Sequence, residues 1–190
     1  MKTYKTFYPI LFLIILSACE VRMAPTEYWS KLFRTQTDSS YYQGKSESLA
    51  NEIAEDIEEY EINKITVMDF VDEGNRTPIL GEYLSSRVVQ AFTARSLFQG
   101  RIFHVTQKGE VNETLQQLNL QHNFLYAKND LKALGESLNS QAVLTGKITD
   151  LGTNIDMHLT LTDVVTGEVI SSATQHLKRT RFAVEMLRQH

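Results

Sequence analysis

One stretch near the C-terminus constrains the fold more than any other. Ile155, Met157, Leu159 and Leu161 alternate with Asp156, His158, Thr160 and Thr162. A period of two puts alternate side chains on opposite faces of a strand, here one apolar and one wet. Turn-forming residues bracket it, at 150–154 before and at Thr166-Gly167-Glu168 after. Beyond those turns lie two more strand-like runs, residues 142–148 and 169–174. Three strands joined by two short connections read as an antiparallel meander.

The residues upstream add helices and two further strands. Residues 46–60 read as a helix, with Leu49, Ile53, Ile57 and Tyr60 on one face. The opposite face carries Glu52, Glu55, Asp56, Glu58 and Glu59. We read it as a solvated surface, with metal binding or a basic partner as the alternatives. Residues 62–71 are apolar on both parities through Ile65, Val67, Met68, Phe70 and Val71, which suits a strand covered on both sides.

Thr77-Pro78 reads as the cap and first residue of a second helix. That helix carries Leu80, Tyr83, Leu84, Val88, Ala91 and Phe92 on one side and ends at Gly100. Residues 101–106 give a short strand, and Val111, Leu115 and Leu118 mark another helix. Residues 119–128 are looser, after which Asn129 caps a short helix bearing Leu131, Leu134 and Leu138. The expected class is α/β (α+β): a single mixed β-sheet packed against helices. Two strand–helix units are followed by a C-terminal antiparallel meander.

The first residues carry a different message. Lys2 and Lys5 precede an apolar stretch at 7–16, broken only by Pro9, and small residues Ser17 and Ala18 lead to Cys19. Positive start, apolar centre and small-residue exit are the parts of a secretory signal. The stretch is too short for a membrane span, which needs ~20 residues. Leu16-Ser17-Ala18-Cys19 resembles the bacterial lipobox. The resemblance implies that residues 1–18 are a lipoprotein signal peptide and that Cys19 is the lipidation site. Cys19 is the single cysteine, so no internal disulfide can form. Glu20 stands where an aspartate would retain such a lipoprotein in the inner membrane. The expected location is therefore the outer membrane, with the domain in the periplasm and the membrane contacted through Cys19.

Residues 19–44 show little periodicity and read as a tether, apart from Tyr28, Trp29, Leu32 and Phe33. Residues 45–176 form the domain, and 177–190 a basic tail with Lys178, Arg179, Arg181 and Arg188. A net charge of −4 argues against nucleic-acid binding, and 42% hydrophobic content excludes wholesale disorder.

Chemistry is sparse. The 5 histidines, at 104, 122, 158, 176 and 190, include no two at ligand spacing. There is no phosphate-cradling glycine loop and no nucleophile elbow. Asp69, at a strand end near Asp72 and Glu73, is the one carboxylate cluster placed like an active site. Loops at strand ends collect binding contacts, so we read these three as a partner-contact loop. No catalytic residue, metal or cofactor is expected.

Residues 65–173 resemble the curli-assembly (CsgG) and flagellar FlgO group of envelope lipoproteins. Ile65-Thr66-Val67-Met68-Asp69-Phe70 is similar to their first strand, and Leu80-Gly81-Glu82-Tyr83-Leu84 to the helix that follows. Leu134-Gly135 and the run from Ala142 to Gly152 are the nearest match, and Leu161 to Val169 resembles their closing hairpin. The resemblance implies a non-enzymatic, flagellum-associated envelope protein. Its partner would be an envelope or flagellar protein, and a homo-oligomer stays open. A curli-type secretion channel subunit is one alternative. Another is a lipoprotein activator of a cell-wall synthase, which resembles the same fold group. Gly146 and Gly135 are expected to allow close helix-to-sheet packing.

Overall fold

The computed structural model describes residues 38–99 and 103–190. Helix α1 (Asp38–Glu59) leads to β1 (Lys64–Val67), α2 (Ile79–Gln99) and β2 (His104–Val105). Helices α3 (Lys108–Gln117) and α4 (Lys128–Leu138) follow. The meander is β3 (Ala142–Asp150), β4 (Asn154–Asp163) and β5 (Val169–Lys178), closed by α5 (Arg181–Leu187). The sheet order is β2-β1-β3-β4-β5. β1 runs parallel to β2 and β3, and β4 runs antiparallel to β3 and β5. The single mixed sheet expected from the sequence is present.

Two helical layers divide the core. Ile65, Val67, Leu144 and Ile148 join the apolar faces of α1 and α2. Met68 and Val143 point the other way, into Val111, Leu115, Leu131, Leu134 and Leu138 of α3 and α4. Cover on both sides explains why the run 65–71 and the first half of β3 are apolar on both parities. β4 follows its alternation: Ile155, Met157, Leu159 and Leu161 are fully buried, while Asp156 and His158 stay partly exposed.

Several boundaries differ from the sequence reading, two of them for a contact distant in the chain. Helix α1 begins at Asp38, inside the expected tether, because Tyr42 is buried and its hydroxyl donates to the Lys178 carbonyl at 2.6 Å. The residues expected as a basic tail form the end of β5 and then α5. Thr180 caps that helix by accepting from Ala183 N–H at 3.3 Å. Phe182 then packs against Tyr42 and Tyr83, with ring centroids 5.9 and 6.0 Å apart. Helix α4 starts at Lys128 without a side-chain cap, so Asn129 lies in its first turn. The first strand stops at Val67 instead of running to Val71.

That early stop shapes the site. Val67 pairs with Leu144 and Val71 with Lys147, so four steps on one chain oppose three on the other. The extra residue makes a bulge, which bends the strand and re-aims its side chains. Asp69 sits in it. Phe70 turns its ring onto Gly146, where a Cβ would overlap that ring and come within 2.8 Å of the Leu159 side chain. Gly146 therefore makes room for the bulge, rather than for a helix. At Gly135 the close neighbour is Val164, from the turn after β4.

Candidate functional site

β1 and β2 are adjacent parallel strands, so the residues that follow their C-terminal ends converge. In open sheets of this kind such ends are where ligands and partners are met. Asp69 follows β1 and Lys108 follows β2, and Lys108 Nζ stands 2.9 Å from Asp69 Oδ2. Ser85 of α2 donates to Asp69 Oδ1 at 2.7 Å. Lys108 also lies 3.6 Å from Glu82. The Asp69 carboxylate is nearly buried, while Lys108 is half-exposed.

His122 arrives from the loop between α3 and α4. That loop is tied by Tyr126, whose hydroxyl donates to the Gln121 carbonyl at 2.7 Å and accepts from Asn123 N–H at 3.0 Å. Leu118, Leu120 and Tyr126 anchor it on the α3–α4 core. His122 Nδ1 accepts the Asp69 backbone N–H at 3.3 Å, which leaves the neutral ring's proton on Nε2. Nε2 lies 3.7 Å from Asp69 Oδ2. Asp69, Arg76, Glu82, Lys108, Gln116 and His122 line an open groove of about 580 Å³.

Serine, aspartate and histidine thus meet here, but in an order that does not relay a proton. Asp69 stands between Ser85 and His122, so the imidazole cannot take the serine's proton, as a serine nucleophile would require. The serine is also buried away from the groove. The arrangement is a fixed polar surface with a cation at its rim.

The partner-contact loop divides in the structure. Asp72 is buried and fully engaged: Oδ1 accepts Gly74 and Arg76 N–H, and Oδ2 accepts the Arg76 guanidinium at 2.6 Å. Burial pushes its carboxyl up, yet these bonds together hold it below the usual carboxylate range. Asp72 therefore shapes the turn. Glu73 is exposed at the tip of that turn, and Asp69 faces the groove. Cys19, Tyr28, Trp29, Leu32 and Phe33 lie outside the described residues.

Sequence reasoning missed Lys108, Ser85 and His122. Lys108 was findable, because it follows the end of a strand parallel to β1. His122 was not, since only the folding of residues 118–127 brings it over.

Burial, the largest influence, pushes His122 below its ordinary value of 6.5; Asp69 opposes this and Lys108 adds to it. The unfolded chain therefore takes up a proton near pH 6.5 that the folded chain refuses until lower pH. Stability falls as the pH drops below that value. Replacing His122 by Asn should remove this part of the acid sensitivity. Urea melts at about pH 7.5 and about pH 5.5, on either side of the free histidine range, test it. An equal loss between the two conditions in variant and parent would refute it.

Comparison with known proteins gives a fold and no family. No family model and no curated protein matches the chain, so the FlgO–CsgG resemblance rests on the residues quoted above. Solved structures do match. The LpoB C-terminal domain from Salmonella enterica is 14% identical, covers 73% of this chain and 98% of its own, and gives a TM-score of 0.54. Its Escherichia coli counterpart is 13% identical with the same coverage and a TM-score of 0.55. The NMR structure of E. coli LpoB is 12% identical over 69% of this chain and 66% of its own, with a TM-score of 0.51. At these identities the likeness shows a common fold: the chain is similar to the LpoB C-terminal domain in architecture.

Proposed function

We propose that this chain is a lipid-anchored, non-enzymatic envelope protein that docks a periplasmic cell-wall synthase and supports its activity. One observation carries the reading: the likeness to LpoB spans 98% of that C-terminal domain, in a chain whose leader ends in a lipobox-like sequence. It favours the activator reading over the flagellar one, which no match supports. The order Ser85–Asp69–His122 supports a docking role over catalysis. The channel reading loses its one alternating segment, because β4 lies in the sheet core. Anchorage through Cys19 in the outer membrane, with the domain in the periplasm, belongs to the same proposal. The contacts would come from the groove beside Asp69 and from Glu73.

The test is reconstitution. The host's synthases, in liposomes with lipid-linked precursor, are assayed for glycan polymerisation with and without the full chain. One of them should be stimulated. Glu73→Lys should weaken that effect without altering the melt, since an exposed, unbonded position changes stability by only about 0.5 kcal/mol. Stimulation of none would overturn the synthase reading. Asp69→Asn tests the non-enzymatic part. A variant that melts normally and binds the synthase, yet has lost function, would defeat it.

A further inference from the structure

The sheet ends in an open edge. Among the described residues β5 is the outer strand, and its one strand neighbour is β4. Lys178 shows which backbone groups turn outward: its N–H donates to the Tyr41 hydroxyl at 3.0 Å, and its carbonyl accepts from Tyr42. Alternation along an antiparallel strand then turns the N–H and C=O of His176, Thr174 and Ser172 outward as well. Outside the sheet no described group bonds them. All three side chains are exposed. Neither proline nor an inward charge blunts this edge, and the one register shift of the β4–β5 pair lies before Ser171, clear of the three outward residues.

Helix α1 flanks the same edge. Tyr41 reaches Lys178 and Lys45 Nζ donates to Gln175 Oε1 at 2.9 Å, so α1 and β5 run in opposite directions. Tyr41, Lys45, Ser48, Glu52, Asp56 and Glu59 are spaced by three or four residues and share one stripe of the helix. From Lys45 to Asp56 the stripe advances ~16 Å, the length of about five strand residues, which brings the acids beside Ile170 to Ala173. Glu52, Asp56 and Glu59 have no ionic partner among the described residues.

We propose that the outer edge of β5 is a docking site for an extended, basic segment of a partner protein, added to the sheet as a further strand. Backbone bonds to Ser172, Thr174 and His176 would hold it. Every second side chain would face α1, where lysine or arginine meets the carboxylates of Glu52, Asp56 and Glu59. A second copy of this chain does not fit. Antiparallel edge pairing would bring its α1 within one strand spacing, ~4.8 Å, where packed helices need ~8–10 Å. It would also set like charges together. The site is separate from the Asp69 groove and does not rest on the synthase reading.

The probe is a short fluorescent peptide alternating lysine with threonine and valine, titrated onto the full chain in neutral detergent. It should bind, and its glutamate counterpart should not. N-methylation of its alternate amides should abolish binding. Thr174→Pro removes one outward N–H at a position where an edge strand tolerates proline. It should weaken binding about tenfold, the scale of one hydrogen bond lost with its partner left unpaired. The triple variant Glu52→Gln, Asp56→Asn, Glu59→Gln should weaken binding and flatten its salt dependence. Failure of the basic peptide to bind, equal binding after N-methylation, or self-association through β5 trapped by cross-linking at position 174 would overturn the proposal. The N-methylated arm decides even if Thr174→Pro does not fold.

Discussion

Substituting valine for Gly146 should cost this domain a large share of its stability. A Cβ there already overlaps the Phe70 ring and crowds Leu159, and valine adds two methyl groups beyond it. The neighbours cannot easily retreat. Phe70 is fully buried in the main core, and Leu159 belongs to a central strand. Overpacking costs typically ~1–3 kcal/mol and more where the walls are rigid. For a chain of this size 1 kcal/mol lowers Tm by ~2–4 °C, so the variant should melt roughly 2–12 °C early or not fold at all. The cause is separable. If the added side chain strikes the Phe70 ring, Phe70→Leu should partly rescue Gly146→Ala, and a double-mutant cycle should show strong coupling. Additive losses, or a Gly146→Val protein as stable as its parent, would show that the bulge does not pack this way.

Serine in place of Cys19 should abolish anchorage altogether. Lipid attachment needs the thiol, and each buried methylene of an acyl chain contributes ~0.8 kcal/mol, so losing two or more chains removes nearly all membrane affinity. The expected product is an uncleaved precursor that incorporates no labelled palmitate. Normal processing of that variant, with retention on the membrane, would defeat the lipoprotein reading. Glu20 makes a companion test. Density-gradient separation should find the parent in the outer membrane, and Glu20→Asp should shift it inward.

Elements whose periodicity is local were legible in the chain itself. The stripe of Leu49, Ile53 and Ile57 marks α1, and the alternation of Ile155, Met157, Leu159 and Leu161 marks β4; all of these residues are buried in one core. The two-sided apolar runs at 62–71 and in β3 announced helices on both faces, which α1–α2 and α3–α4 supply. Such patterns are legible because an element's period is set by its own backbone geometry and burial selects one face of it.

The remainder depended on contacts between distant residues. Residues 38–45 have no strong apolar period, yet they are helical because Tyr42 finds Lys178 and Thr180, 136 and 138 positions away. Arg181 to Leu187 reads as a basic tail until Phe182 meets Tyr42 and Tyr83. The acidic trio at 69, 72 and 73 looked like one cluster because its members are near in sequence. A one-residue bulge sends Asp69 to Lys108 and His122 and leaves Asp72 to organise its own turn. Neighbours along a chain share a period, whereas neighbours in space share a contact that no local pattern encodes. The fold class was written in the periods, and the site in the contacts.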